Sequence, residues 1–212
     1  MNDSSEFSEG LIRRAREGDQ QAIAELFRPH ESRLTRMVRM RLNRSIQRRV
    51  DPADIVQEAF IEASKRLGDY TTSPDMPFYL WLRHITGQKL VDAHRRHLGT
   101  QKRDAAIEIS LYRGSIPMAN SASLAIQLLG GLTSPSRAAV RAETQMRVQQ
   151  ALNGLSDVDR EILAMRHFEQ LTNAEVADVL SIDKSTASTR YLRALKRMKD
   201  SLSKIPGFLE DR

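Results

Sequence analysis

The stretch from Leu171 to Lys199 restricts this chain more than any other segment. Thr172 and Glu175 have the T-x-x-E spacing of a capping box, and Val176, Ala177 and Leu180 follow at helical intervals. Ser181-Ile182-Asp183 then breaks the pattern, and Asp183 is placed to cap a last long helix from Lys184 to about Leu202. Ala177 is small enough to let two helices cross, and Ile182 is apolar enough to plug the turn. Together these features predict a helix-turn-helix. Its second helix offers Lys184, Ser185, Thr186, Ser188, Thr189 and Arg190 from its first two turns. Short polar groups there can reach base edges, while Arg190, Arg193, Lys196 and Arg197 can reach phosphates. A basic helical hairpin with no groove contact is the plainer alternative. The agreement of cap, turn, small residue and polar leading face favours the groove-reading helix.

The rest of the chain is also helical in pattern. Leu11, Ile12 and Ala15 share one face of a short helix, which Gly18 can end, and Asp19 can cap the next. That next helix buries Ala22, Ile23, Leu26 and Phe27, with Pro29 as a candidate kink. A third helix is expected after Asp51-Pro52, because proline suits a first turn; Ile55, Val56, Ala59, Phe60, Ala63 and Leu67 form its apolar face. After a turn at Ser73-Pro74-Asp75-Met76-Pro77, a fourth runs from Phe78 to about His97, with an interruption expected near Gly87. No strand-like alternation of useful length occurs, so the expected fold class is all-α. Residues 104–143 are rich in Ser, Gly and Pro and read as a linker, although the apolar run Leu124–Leu132 needs something to pack on. Helical order is expected to return at Glu143. Ser156 and Asp159 resemble a further capping box. The boundaries that follow are one helical module at 8–100, a linker at 101–143 and a second module at 144–205, which carries the helix-turn-helix.

Charge adds a direction to this plan. The net charge is +6, which favours an anionic partner, nucleic acid before membrane surface. Arg28 to Arg49 holds eight arginines against one acid, Glu31, whereas Asp51, Asp54, Glu58, Glu62 and Asp69 outnumber Lys65 and Arg66 in the next segment. Arg83 to Arg103 and Lys184 to Lys199 are basic again. Basic blocks far apart in the chain suggest two contacts with one polyanion, and the acidic block suggests a different, basic partner; each block could also be simply a solvated face. Phe78, Tyr79 and Trp81 precede Arg83, Lys89, Arg95 and Arg96, a combination suited to single-stranded DNA, where bases stack and phosphates are neutralised. A core tryptophan is the commoner reading of Trp81 taken alone.

Several chemistries lose support. Cysteine is absent, which removes disulfides and thiolate catalysis. Asp92, His94 and His97 form a D-x-H-x-x-H string, but Asp92 is poorly placed to join the two histidines on one helix face, so no metal site is expected. No phosphate-binding glycine loop or nucleophile elbow is present, and no catalytic residue or cofactor is expected. No apolar run approaches the roughly 18 residues that span a bilayer, and the expected location is cytoplasmic without membrane insertion.

Read in order, these segments resemble the extracytoplasmic-function group of bacterial sigma factors. Leu11 to Phe27, with Glu17-Gly18-Asp19, resembles the start of the family's first conserved region. Asp54-Ile55-Val56-Gln57-Glu58-Ala59-Phe60 resembles the helix that binds the clamp of core RNA polymerase, which implies that role for Asp54, Gln57 and Glu58. Phe78-Tyr79-Leu80-Trp81-Leu82-Arg83-His84-Ile85, with Asp92 and Arg95-Arg96, resembles the helix that melts the strands and recognises the minus-10 element. Gln88 stands where many members carry an asparagine in the loop that captures an unstacked base. Leu155 to Arg166 and Leu171 to Arg197 resemble the domain that reads the minus-35 element, and Ser181 replaces a frequent glycine in its turn. The resemblance implies core RNA polymerase and promoter DNA as partners, leaves room for an anti-sigma protein, and implies no enzymatic activity. Two readings compete: a two-domain transcriptional regulator without polymerase docking, and a phosphodiester-cleaving enzyme using the histidines.

Overall fold

The computed structural model describes residues 3–43, 45–72, 76–98, 116–129 and 138–204, of which 3–9, 98 and 138–141 are described by backbone alone. Among these residues the regular structure is all helical: α1 Asp3–Arg16, α2 Gln20–Arg41, α3 Pro52–Thr72, α4 Phe78–Leu98, α5 Ser121–Leu129, α6 Ala138–Asn153, α7 Asp157–His167, α8 Asn173–Leu180 and α9 Lys184–Leu202. The chain divides into two compact units, Met1–Val38 with Leu42–Pro117, and Arg39–Arg41 with Met118–Arg212. The Ser73-Pro74-Asp75 turn and much of the expected linker lie outside the described residues.

In the first unit, Asp19 caps α2 as its position suggests, accepting from the Gln21 and Ala22 backbone N–H groups at 2.9 and 3.1 Å. Arg14 donates to the same carboxylate at 2.6 Å, and these bonds hold it below the usual carboxylate range. The helix continues through Pro29 without a break. Pro29 is exposed, so water can take the carbonyl that the missing N–H leaves free. Ile55, Val56, Ala59, Ala63 and Leu67 of α3 are buried, together with Leu34, Met37, Leu82, Ile85 and Leu90.

The expected interruption of α4 is absent: the helix runs through Gly87. A Cβ at Gly87 would lie 2.3 Å from Ile116 Cγ1, so glycine serves close packing there, where the sequence suggested a break. On the same side of α4, His94 is buried and its Nε2 accepts the Asn43 backbone N–H at 3.1 Å. Burial pushes its imidazole pKa down to about 4, so the ring is neutral at pH 7.

In the second unit, Ser121–Leu129, which holds the start of the apolar run expected in the linker, is a helix with a core to join. Leu124, Ala125 and Leu129 of α5 pack with Val148, Leu152, Leu155, Leu163, Ala164, Ala194 and Met198. This unit therefore begins well before the expected boundary at 144, and α6 starts at Ala138. The Arg41 guanidinium is fully buried between the Glu161 and Glu169 carboxylates, and Glu161 also accepts the Ala119 N–H at 2.8 Å. Burial alone would lower the Arg41 pKa; the two carboxylates outweigh it and raise it.

Candidate nucleic-acid interface

The helix-turn-helix is built as its residues suggest. The Thr172 hydroxyl accepts the Glu175 N–H at 3.2 Å, and the Glu175 carboxylate accepts the Thr172 N–H at 2.7 Å, closing the capping box of α8. Ser181 ends α8 in the left-handed region, φ 52° and ψ 47°, at a cost of about 1 kcal/mol for a residue with a side chain. The Ile182 N–H returns to the Ala177 carbonyl at 3.0 Å, so the turn is internally bonded. Asp183 occupies the N-cap position of α9 but makes no side-chain cap bond.

Burial orients α9. Ala187, Ala194 and Met198 face the core. Ser185, Thr189, Leu192, Arg193 and Lys196 are exposed along the opposite side, as is Lys184 at the start. Thr186, Ser188 and Arg190 are half-buried at its edges. Ser188 is engaged by α8: its hydroxyl accepts from Asn173 Nδ2 at 2.6 Å. Tyr191 pairs with His167 at 3.2 Å and lies under the Arg166 guanidinium; burial, then Arg166, hold the His167 pKa below its ordinary value.

In the first unit, α3 and α4 carry the other candidate residues. Asp54 and Gln57 are exposed on α3, with Glu58 half-buried beside them. Glu58 accepts from Arg96 of α4 at 3.1 Å. Glu62 pairs with Lys89 at 3.4 Å and with Arg66 at 2.6 Å. Thus residues expected to meet two different partners lie on adjoining helices, partly neutralising each other. On α4, Trp81, Gln88, Asp92 and Arg95 fall along one helical stripe that also holds exposed His84. Gln88 sits on the helix rather than in a loop, with Nε2 3.0 Å from His84 Nε2 and Oε1 accepting from Arg66 at 3.4 Å. Tyr79 and Arg83 are buried, at 5% and 4% exposure, and stand apart from that stripe. Arg33 lies 3.6 Å from the Tyr79 ring centroid. Trp81 is half-buried in an aromatic cluster, 4.8 Å from Tyr70 and 5.6 Å from Phe78 between ring centroids. Of the histidine string, His94 points inward and His97 is exposed, so the two share no surface.

Comparison with known proteins gives these two helix sets one origin. Residues 26–99 match sigma-70 region 2, and residues 145–198 match sigma-70 region 4. The chain belongs to the sigma-70 family as an extracytoplasmic-function (ECF) type sigma factor. Among the curated relatives of this sigma factor is the RNA polymerase sigma-H factor of Pseudomonas aeruginosa, 24% identical over 95% of this chain and 97% of that one. Another is the ECF RNA polymerase sigma factor SigW of Bacillus subtilis, 23% identical over 90% of this chain and 94% of its own. The RNA polymerase sigma factor NccH of Alcaligenes xylosoxydans is 28% identical over 93% and 95%. The same fold occurs in a solved structure of CnrH in complex with the cytosolic domain of CnrY, with a TM-score of 0.53, 22% identity, and coverage of 92% and 96%. As an RNA polymerase sigma factor, the chain serves promoter recognition, and its region 4 match spans the helix-turn-helix.

Two residues of this sigma factor, and the role of a third, escaped the sequence reading. Ile61 is 57% exposed on α3, near Asp54 and Gln57, and Leu192 is 64% exposed among the polar residues of α9. Apolar letters at helical spacing read as core, and only a structure shows which of them face water. The third is Asp159. Its backbone N–H donates to Ser156 Oγ at 3.1 Å, as a cap should, but its carboxylate turns away to the arginines of α9.

Proposed function

We propose that this sigma factor docks on core RNA polymerase through α3, reads the minus-35 element through α9, and uses α4 to recognise the minus-10 element and open the strands. Asp54, Gln57 and Glu58 would meet a basic surface of the polymerase. Lys184, Ser185, Thr186 and Thr189 would reach bases, with Ser188 held back by Asn173, while Arg190, Arg193 and Arg197 would neutralise phosphates. On α4, Phe78, Trp81 and Gln88 would receive unpaired bases, with Lys89, Arg95 and Arg96 on the backbone and Asp92 within the same stripe. Tyr79 and Arg83 would support that surface from beneath. The observation that carries the reading is the exposed polar and basic side of α9, set by buried Ala187, Ala194 and Met198. No bond chemistry is needed: two weak DNA contacts joined on one polymerase become one strong contact. The site of action is the cytoplasm. CnrH binds the cytosolic domain of CnrY, and a protein partner of anti-sigma type is proposed for this chain as well.

Run-off transcription with purified core polymerase on a randomised promoter library tests the reading. Enrichment of templates sharing two separated elements, dependent on this chain, is expected. Transcripts from unrelated templates, or no transcripts, would refute it, and DNA binding without polymerase would point to the two-domain regulator.

A further inference from the structure

Asp159 lies in the first turn of α7 with only 4% of its side chain exposed. Asp157, two positions earlier, shows how an ordinary helix-start acid behaves: it is 66% exposed and pairs with Arg160 of its own helix. A buried carboxylate is costly unless cations or donors meet it. Here those cations come from α9. Asp159 Oδ1 is 3.1 Å from Arg190 Nη1, and Oδ2 is 3.8 Å from Arg197 Nη1. Arg190 and Arg197 are two turns apart on one edge of α9, so a single carboxylate faces both. The two arginines remain 36% and 53% exposed. Each guanidinium has five N–H donors, and those not turned to Asp159 stay available to an anion outside.

We infer that Asp159 is a positioning residue for upstream-element recognition: its carboxylate holds Arg190 and Arg197 so that their outer donors meet DNA phosphates in a fixed register. This rests on the proposed minus-35 role of α9. Fixed arginines orient the helix in the groove, and orientation is what lets Ser185, Thr186 and Thr189 discriminate bases. Charge and positioning predict opposite effects here. Removing an anion near DNA strengthens sequence-independent attraction, whereas removing a positioning group weakens discrimination.

The test uses holoenzyme formed from core polymerase and the full chain. Binding is measured on a promoter selected by the wild type and on the same promoter with its upstream element scrambled. Asp159→Asn is close in size and lacks the charge. The ratio of the two affinities is expected to fall about tenfold, with scrambled-template binding equal or tighter and the melting temperature retained. If the mutant does not fold, Arg190→Lys with Arg197→Lys takes its place; charge is kept, the guanidinium fork is lost, and the same fall in ratio is expected. An unchanged ratio, or parallel changes on both templates, overturns the inference while leaving the minus-35 reading intact. A wild-type holoenzyme that does not distinguish the two templates overturns both.

Discussion

His94 gives a stability prediction whose size follows from its surroundings. Its ring is buried, Nε2 accepts the Asn43 N–H, and burial lowers its pKa to about 4. In the unfolded chain the same imidazole titrates near 6.5. The folded pKa is the lower one, so below pH 6.5 the unfolded state takes up a proton that the folded state refuses. Stability is therefore full above pH 6.5, declines as pH falls, and stops responding to this group below about pH 4. At about 1.4 kcal/mol per pH unit, that interval removes about 3 kcal/mol. His30 and His167, also lowered by burial, act in the same direction, so a comparison is needed to isolate His94. His94→Gln supplies it, because the Gln carbonyl oxygen can still accept from Asn43 and does not titrate. Urea unfolding by circular dichroism from pH 7.5 to pH 4 should show the wild type losing about 3 kcal/mol more than the mutant across the window. A wild-type-minus-mutant difference that does not vary with pH would refute the assignment of a buried neutral ring.

Other substitutions test the remaining geometry. Asp54→Lys with Glu58→Lys should abolish co-purification with core polymerase; because the Glu58–Arg96 pair is solvent-exposed, stability should change by no more than about 1 kcal/mol. Trp81→Ala should lower stability by about 2 kcal/mol, less than for a fully buried ring. Its holoenzyme should still form closed complexes, fail to make thymines permanganate-reactive, and recover activity on a premelted template; normal melting of duplex promoter would contradict the role given to Trp81. Gly87→Ala should cost about 1 to 3 kcal/mol by pressing on Ile116, and Ile116→Ala should relieve it in the double mutant. Additive effects in that cycle would show that the two residues do not touch.

Local rules carried the sequence reading far, and tertiary contacts marked its edge. Asp19, Ser156 and the Thr172–Glu175 box were legible because a cap needs only near neighbours. The turn at Ser181 was legible for the same reason. Gly87 was misread because its reason lies at Ile116, 29 positions away, and glycine inside a helical pattern otherwise signals weakness. The run at Leu124 was visible as apolar, but its partners Val148, Leu152 and Leu163 are fixed only by the fold. Arg83 looked like a DNA contact because a cation beside aromatics is ambiguous until burial is known. Ser188 and Asp159 share this difficulty. Each has a short polar side chain that could face solvent or a neighbouring helix, and the sequence does not say which.

The aromatic cluster around Trp81 has an optical consequence. Trp81 is the sole tryptophan of the chain and belongs to the first unit. Tyr70, 4.8 Å from it, can pass excitation to the indole, whereas Tyr191 of the second unit belongs to a separate set of contacts. Indole emission thus reports the first unit, and circular dichroism reports helices of both. Where the two signals part company during unfolding, the gap measures how independently the modules stand.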